Sequence, residues 1–238
     1  MLKRLSAVAL ICVAGSQALA GASTYVVPQA YTDTPGTASF IGPMANGQRT
    51  NQYLIHESLL TGLVGKQLNG ISWRLGSGSS SDYPTQDISF ANYDIYLSGS
   101  VDPSERSSTF AENVVGEQMQ VRSGSLDVPA ASFTSGGSPN EFSFVINFDG
   151  YIYTGGNLLV EVRHTGSGST SRALDAISTS TAGYGELFSA LWKSDYNAVD
   201  DGLQGNFVIP QFSYSEIPAP GAVGLFGLAG LAAVRRRR

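Results

Sequence analysis

Cysteine is almost missing from this chain: one residue, Cys12, in 238. That excludes intramolecular disulfides, cysteine-ligated zinc sites and, once the first twenty residues are set aside, a cysteine nucleophile. Histidine is nearly as scarce. His56 and His164 are the only two, and they do not form the H-E-x-x-H pattern that puts two imidazoles on one helical face around zinc. No G-x-S-x-G elbow and no Walker lysine occurs, so the sequence lacks the exposed strand-turn-helix serine of the α/β-hydrolases and the phosphate cradle of the P-loop enzymes. Gly76-Ser77-Gly78 and Gly166-Ser167-Gly168 follow strand-like segments and open no helix, the wrong context for holding phosphate.

Positive charge is also short where a fold would be. Of fourteen Lys and Arg residues, six are Lys3, Arg4, Arg235, Arg236, Arg237 and Arg238, so residues 21–216 carry eight basic against nineteen acidic residues, a balance of −11. Such a body repels nucleic acid, so no nucleic-acid partner is expected.

What the sequence does have begins at its two ends. Lys3 and Arg4 precede an uncharged apolar run over residues 5–15, followed by Ala18-Leu19-Ala20. A short cationic segment, a short apolar core and a small-x-small motif are the parts of a cleaved signal peptide. Ala18 and Ala20 are the residues that signal peptidase would read, with cleavage after Ala20. The bulky Ile11 before Cys12 argues against a lipoprotein acylation site, so Cys12 reads as a small apolar residue of the signal core. Near the other end, an uncharged, mainly apolar stretch from Ile217 through Val234 leads into the four arginines. It is about eighteen residues long, the low end of a bilayer span. The arginine cluster predicts a cytoplasmic end, leaving the body outside. Glycines at 221, 224, 227 and 230 make one helical face small enough for close approach of a partner helix.

Pro218, Ala219 and Pro220, then the apolar run over 221–234, then Arg235 to Arg238, together resemble the PEP-CTERM sorting signal of exported bacterial proteins. The resemblance covers roughly the last tenth of the chain. It implies recognition in the inner membrane by an exosortase-like sorting protease, cutting near the prolines, and delivery to the cell surface or extracellular matrix. Ala219 stands where that family usually has glutamate, which bears on which protease variant reads the tail. Proteins with this signal tend to go with exopolysaccharide, so a structural or adhesive, non-catalytic matrix role is what the resemblance implies. A carbohydrate-binding module and a glycan-active jelly-roll enzyme are the alternatives.

Between the ends, period-two alternation dominates. Phe142, Phe144, Ile146 and Phe148 alternate with Ser143, Val145 and Asn147. Tyr93, Ile95 and Leu97 alternate with Asp94 and Tyr96, and Leu158, Val160 and Val162 with Leu159 and Glu161. Ile71, Trp73 and Leu75 form a fourth such set, with Trp73 on its apolar face. Strands are also predicted over 24–27, 52–56, 117–122 and 206–212. Gly- and Ser-rich turns separate them, and no βαβ alternation appears. The expected fold is all-β: a single antiparallel β-sandwich or jelly-roll-like domain over 21–214, flanked by the signal helix over 1–20 and a transmembrane-type helix within 215–238. The stretches "QRTNQYLIHESLL", "NGISWRL", "ANYDIYLS" and "NLLVEVRHTG" are similar to the middle domain of other sorting-tagged exported proteins, which also implies a β-sandwich.

Candidate binding residues within the body are few. "KSDYNAVDDGLQGN", residues 193–206, offers Asp195, Asn197, Asp200 and Asp201 as oxygen ligands for calcium, but Val199 breaks the EF-hand pattern, and an Asp/Asn/Gly stretch also simply makes turns. No other cofactor is indicated. Trp192, beside this loop, is a candidate sugar-stacking residue. Glu57, Asp94, Glu117 and Glu161 are candidates for the paired carboxylates of glycoside hydrolysis. Nothing in the sequence pairs any two of them, and Glu161 is expected on a solvated strand face.

Overall fold

The computed structural model describes residues 23–217. Ala18, Ala20, Pro218, Ala219, Pro220 and the four arginines lie outside the described residues, as do both expected flanking helices. Among the described residues no helix is long and apolar enough to cross a membrane.

The described body is antiparallel β structure joined by short 3-10 turns. The larger sheet has six strands in the order Leu203–Gln204, Phe188–Lys193, Arg49–Ile55, Leu158–His164, Tyr93–Ser100 and Val114–Arg122. The next has four: Ser23–Val26, Gln211–Glu216, Lys66–Trp73 and Phe144–Tyr153. A three-stranded sheet (Phe207–Val208, Leu174–Ile177, Ala38–Phe40) and a two-stranded one (Ile88–Phe90, Leu126–Val128) complete the set. Both large sheets feed one contiguous core. Tyr53, Ile95, Val160 and Val162 enter it from the six-stranded sheet, and Val26, Ile71, Trp73, Ile146 and Phe212 from the four-stranded one. This is an arrangement consistent with a β-sandwich.

The alternation read from the sequence accounts for these faces. Ile146 is buried while Val145 and Asn147 are exposed, and Trp73 is fully buried. The strand expected over 206–212 is two strands. Pro210 has no N–H for a ladder, and there the chain passes from the three-stranded to the four-stranded sheet, with Ile209 N donating to Asp175 O and Val27 N to Pro210 O. The Lys66–Trp73 strand shifts register against Phe144–Tyr153 between Leu68 and Gly70. A Cβ at Gly70 would sit 2.9 Å from Val145 Cγ1, so glycine permits the close approach.

One expectation is overturned. Glu161 reads from the sequence as a residue of a solvated strand face, yet it is 1 % exposed, and Gln52 and Asp94 on the same face of the six-stranded sheet are also buried. Leu158–His164 is a central strand, and two segments close over its polar face. One contains the Pro103–Glu105 and Phe110–Asn113 turns; the other runs over residues 194–202. They are tied to each other by Phe110 N to Val199 O at 3.0 Å and Gly202 N to Ser108 O at 2.9 Å, and Phe110, Ala198 and Leu191 form a small second core.

Candidate functional site

The covered face of the six-stranded sheet holds a buried polar network beside a cavity. In register across four strands lie Leu191, Gln52, Glu161 and Tyr96; one row further lie Lys193, Thr50, Arg163 and Asp94. Period two puts all of them on one face. Glu161 uses both carboxylate oxygens: Gln52 Nε2 donates to Oε2 at 2.6 Å, and Arg163 Nε donates to Oε1. The same Gln52 amide donates to Phe110 O at 2.9 Å, and Gln52 Oε1 accepts from Asn113 Nδ2 at 2.8 Å. Thr50 Oγ1 reaches the carbonyls of Asp195 (2.7 Å) and Tyr196 (3.0 Å). The sheet side chains thus hold both covering segments in place.

Asp94 is committed as well. Its carboxylate accepts from the Tyr196 hydroxyl and from Gly124 N at 3.1 Å. Donation to Asp94, more than burial, pushes the Tyr196 hydroxyl up to about 12. Tyr96, under the Arg163 guanidinium at 5.5 Å, is raised chiefly by burial.

Beside this network a cavity of about 360 Å³ opens between Phe110, Val114, Gln118, Glu161, Arg163 and Val199. Its floor carries a carboxylate and a guanidinium. Gln118 Nε2 is buried there without a partner, and the walls are otherwise apolar. The mix of acceptor, donors and apolar wall suits a neutral, hydroxyl-bearing ligand. It suits proton transfer poorly, because both oxygens of Glu161 already accept hydrogen bonds.

The other sequence candidates are dispersed. Trp192 is half-buried, edge-on to Phe40 at 5.7 Å, with the Arg49 guanidinium 4.2 Å from its ring centroid; that cation–π contact takes a ring face a sugar would use. Asp195 Oδ1 accepts from Asn197 N at 2.9 Å, a local turn. Lys193 Nζ stands 3.6 Å from both Asp200 Oδ1 and Asp201 Oδ2, placing the chain's own ammonium between those two carboxylates. Among the described residues no three Asp, Glu, His or Cys side chains converge to hold a metal ion. Glu57 opens a 3-10 turn capped by His56, whose Nδ1 accepts from Ser58 N at 3.2 Å. Glu117 is exposed on the edge strand. Only Asp94 and Glu161 are brought together, on neighbouring strands of one face, with Arg163 directly opposite Asp94.

Gln52, Asn113, Arg163 and Tyr196 were not singled out from the sequence. One signal for Arg163 was present: it lies two residues from Glu161 within a strand pattern, which places opposite charges on the same face.

The fold and the site therefore define an antiparallel β protein with a buried polar network beneath a small cavity. No family model matches the chain, and no curated protein and no solved structure does either.

Proposed function

We propose that this is an exported cell-surface or extracellular-matrix protein, with a single sandwich or jelly-roll domain, sorted by its tail and associated with exopolysaccharide in a structural or adhesive, non-catalytic role. One observation carries the reading: a Pro-x-Pro motif, an apolar run and four arginines in that order. Signal peptidase and an exosortase-like protease are its processing partners, with passage through the inner membrane. The body supports a non-catalytic role in that Glu161 and Asp94 both have their carboxylates committed to internal hydrogen bonds.

The test is the intact mass of the protein recovered from the surface fraction of the native cell. A mass beginning at Gly21 and ending near Pro218 to Pro220 is expected. A mass that still includes Arg238 overturns the sorting reading and leaves a plain membrane-anchored protein.

A second reading, a carbohydrate-binding module, is favoured by the cavity at Glu161, Arg163 and Gln118 rather than by Trp192. Here Gln118→Ala is expected to weaken binding of a neutral oligosaccharide by about tenfold, the effect of losing one hydrogen bond to a well-placed donor. Calorimetric titration with neutral oligosaccharides checks this.

A further inference from the structure

A second cavity, about 280 Å³, lies at the opposite side of the same sheet face, where the Pro103–Glu105 turn crosses the Phe188–Lys193 strand. Ser104, Arg106, Thr179, Tyr184, Ser189 and Gln204 line it, and no carboxylate does. Asp102 fixes the turn, its Oδ1 accepting from Ser104 N at 2.9 Å. Arg106 is then clamped by neutral acceptors. Its Nη1 donates to Ala190 O at 2.7 Å and to the Tyr184 hydroxyl at 3.4 Å, and its Nη2 to Gln204 Oε1 at 3.2 Å.

Two polar atoms are left over. Arg106 Nε is buried without a hydrogen-bond partner, and so is the hydroxyl of Ser189, a residue 1 % exposed. Among the described residues Arg106 makes no ion pair. A guanidinium held rigid by neutral groups keeps its charge uncompensated, and a buried N–H and O–H without acceptors each cost free energy. Both deficits call for the same thing: a negatively charged group with more than one acceptor oxygen.

We propose that this cavity binds a small oxyanion, a carboxylate or sulfate group, through Arg106 Nε and Ser189 Oγ. The site goes beyond the sorting role and is separate from the Glu161 cavity. Its chemistry is the reverse of the body's acidic surface: cationic, rich in donors and free of carboxylates.

The test is calorimetric titration of the full chain at constant ionic strength with sulfate, acetate, glucuronate and, as the neutral control, glucose. Saturable binding of the anions without binding of glucose is expected. Glucuronate binding tighter than acetate assigns the carboxylate to a sugar; equal binding of all three anions assigns a free oxyanion site. Ser189→Ala removes only the unpartnered hydroxyl, so it is expected to weaken anion binding about tenfold while the thermal midpoint without ligand stays level or rises. Arg106→Lys, which loses the fixed fork, is expected to weaken it further. Absence of saturable binding for all three anions, or unchanged affinity in Ser189→Ala, overturns the proposal.

Discussion

His164 lies flat against Tyr93, ring centroids 5.6 Å apart, with Phe90 edge-on at 5.2 Å. Its Nδ1 accepts from Gly166 N at 3.1 Å, so the proton sits on Nε2, which faces Gly42 O at 3.2 Å. Burial pushes this imidazole down to about 4; the bond to Gly42 opposes the shift and the charge of Arg49 adds to it. In the unfolded chain an imidazole titrates near its ordinary value of about 6.5. Between those two values the unfolded state holds the extra proton, so stability is complete above about 6.5 and is lost as pH falls toward 4. The loss across that window is on the order of 3 kcal/mol. Urea midpoints at pH 7 and pH 5 check it: the wild-type chain is expected to lose stability between them, and His164→Gln to show a much flatter change. An equal slope in both proteins would refute the assignment. Glu161 belongs to the same scale. Glu161→Ala leaves one N–H of the Gln52 amide and the Arg163 Nε without an acceptor, and is expected to cost roughly 1–3 kcal/mol in the same assay.

Among the elements, the strand ending at Trp73 is joined to its surroundings by a fully buried ion pair. Arg74 Nε donates to Asp175 Oδ2 at 2.8 Å, and each side chain is 1 % exposed. The remaining Arg74 donors reach the carbonyls of Tyr31, Thr32 and Thr34, and the Asp175 carboxylate accepts from Gly36 N at 2.9 and 3.0 Å. One pair thus pins the whole 31–36 segment to the sheets. Asp175→Ala leaves a buried guanidinium uncompensated and is expected to cost about 3–5 kcal/mol by urea denaturation. Gly36→Ala would put a Cβ 2.2 Å from Ala176 O and is expected to cost roughly 1–3 kcal/mol as an overpacking change. The sequence made the strands legible, because alternation at Tyr93 to Leu97 and Leu158 to Val162 is a local signal. It hid Arg74 and Glu161, because polar residues on alternating positions look the same whether water or chain covers them. Here the cover comes from far away: Phe110 is 58 positions from Gln52, and Asp195 is 145 from Thr50. The Asp200–Asp201 pair reads as a cation site for a different reason: Lys193 opens the same stretch, but a separation of seven and eight residues across a loop has no period that places its ammonium between the two carboxylates.

The molecule as a whole is held without covalent staples. With Cys12 the sole cysteine, its thermal midpoint is expected to be the same with and without reductant, which differential scanning calorimetry tests directly; a fall in reductant would reveal stabilisation by a Cys12–Cys12 bridge between two copies of the chain. The first and last described strands are direct neighbours: Ser23 faces Tyr214 and Val26 faces Gln211. The Gln211–Glu216 strand is in turn flanked on its other side by Lys66–Trp73, where Lys66 and Glu216 form an ion pair at the exit. Tension entering through the segment after Ile217 therefore pulls along a strand gripped on both sides. Such a load shears two hydrogen-bond ladders at once instead of peeling them rung by rung. That is the mechanically stronger geometry, and it meets any load that enters the domain from the Ile217 side.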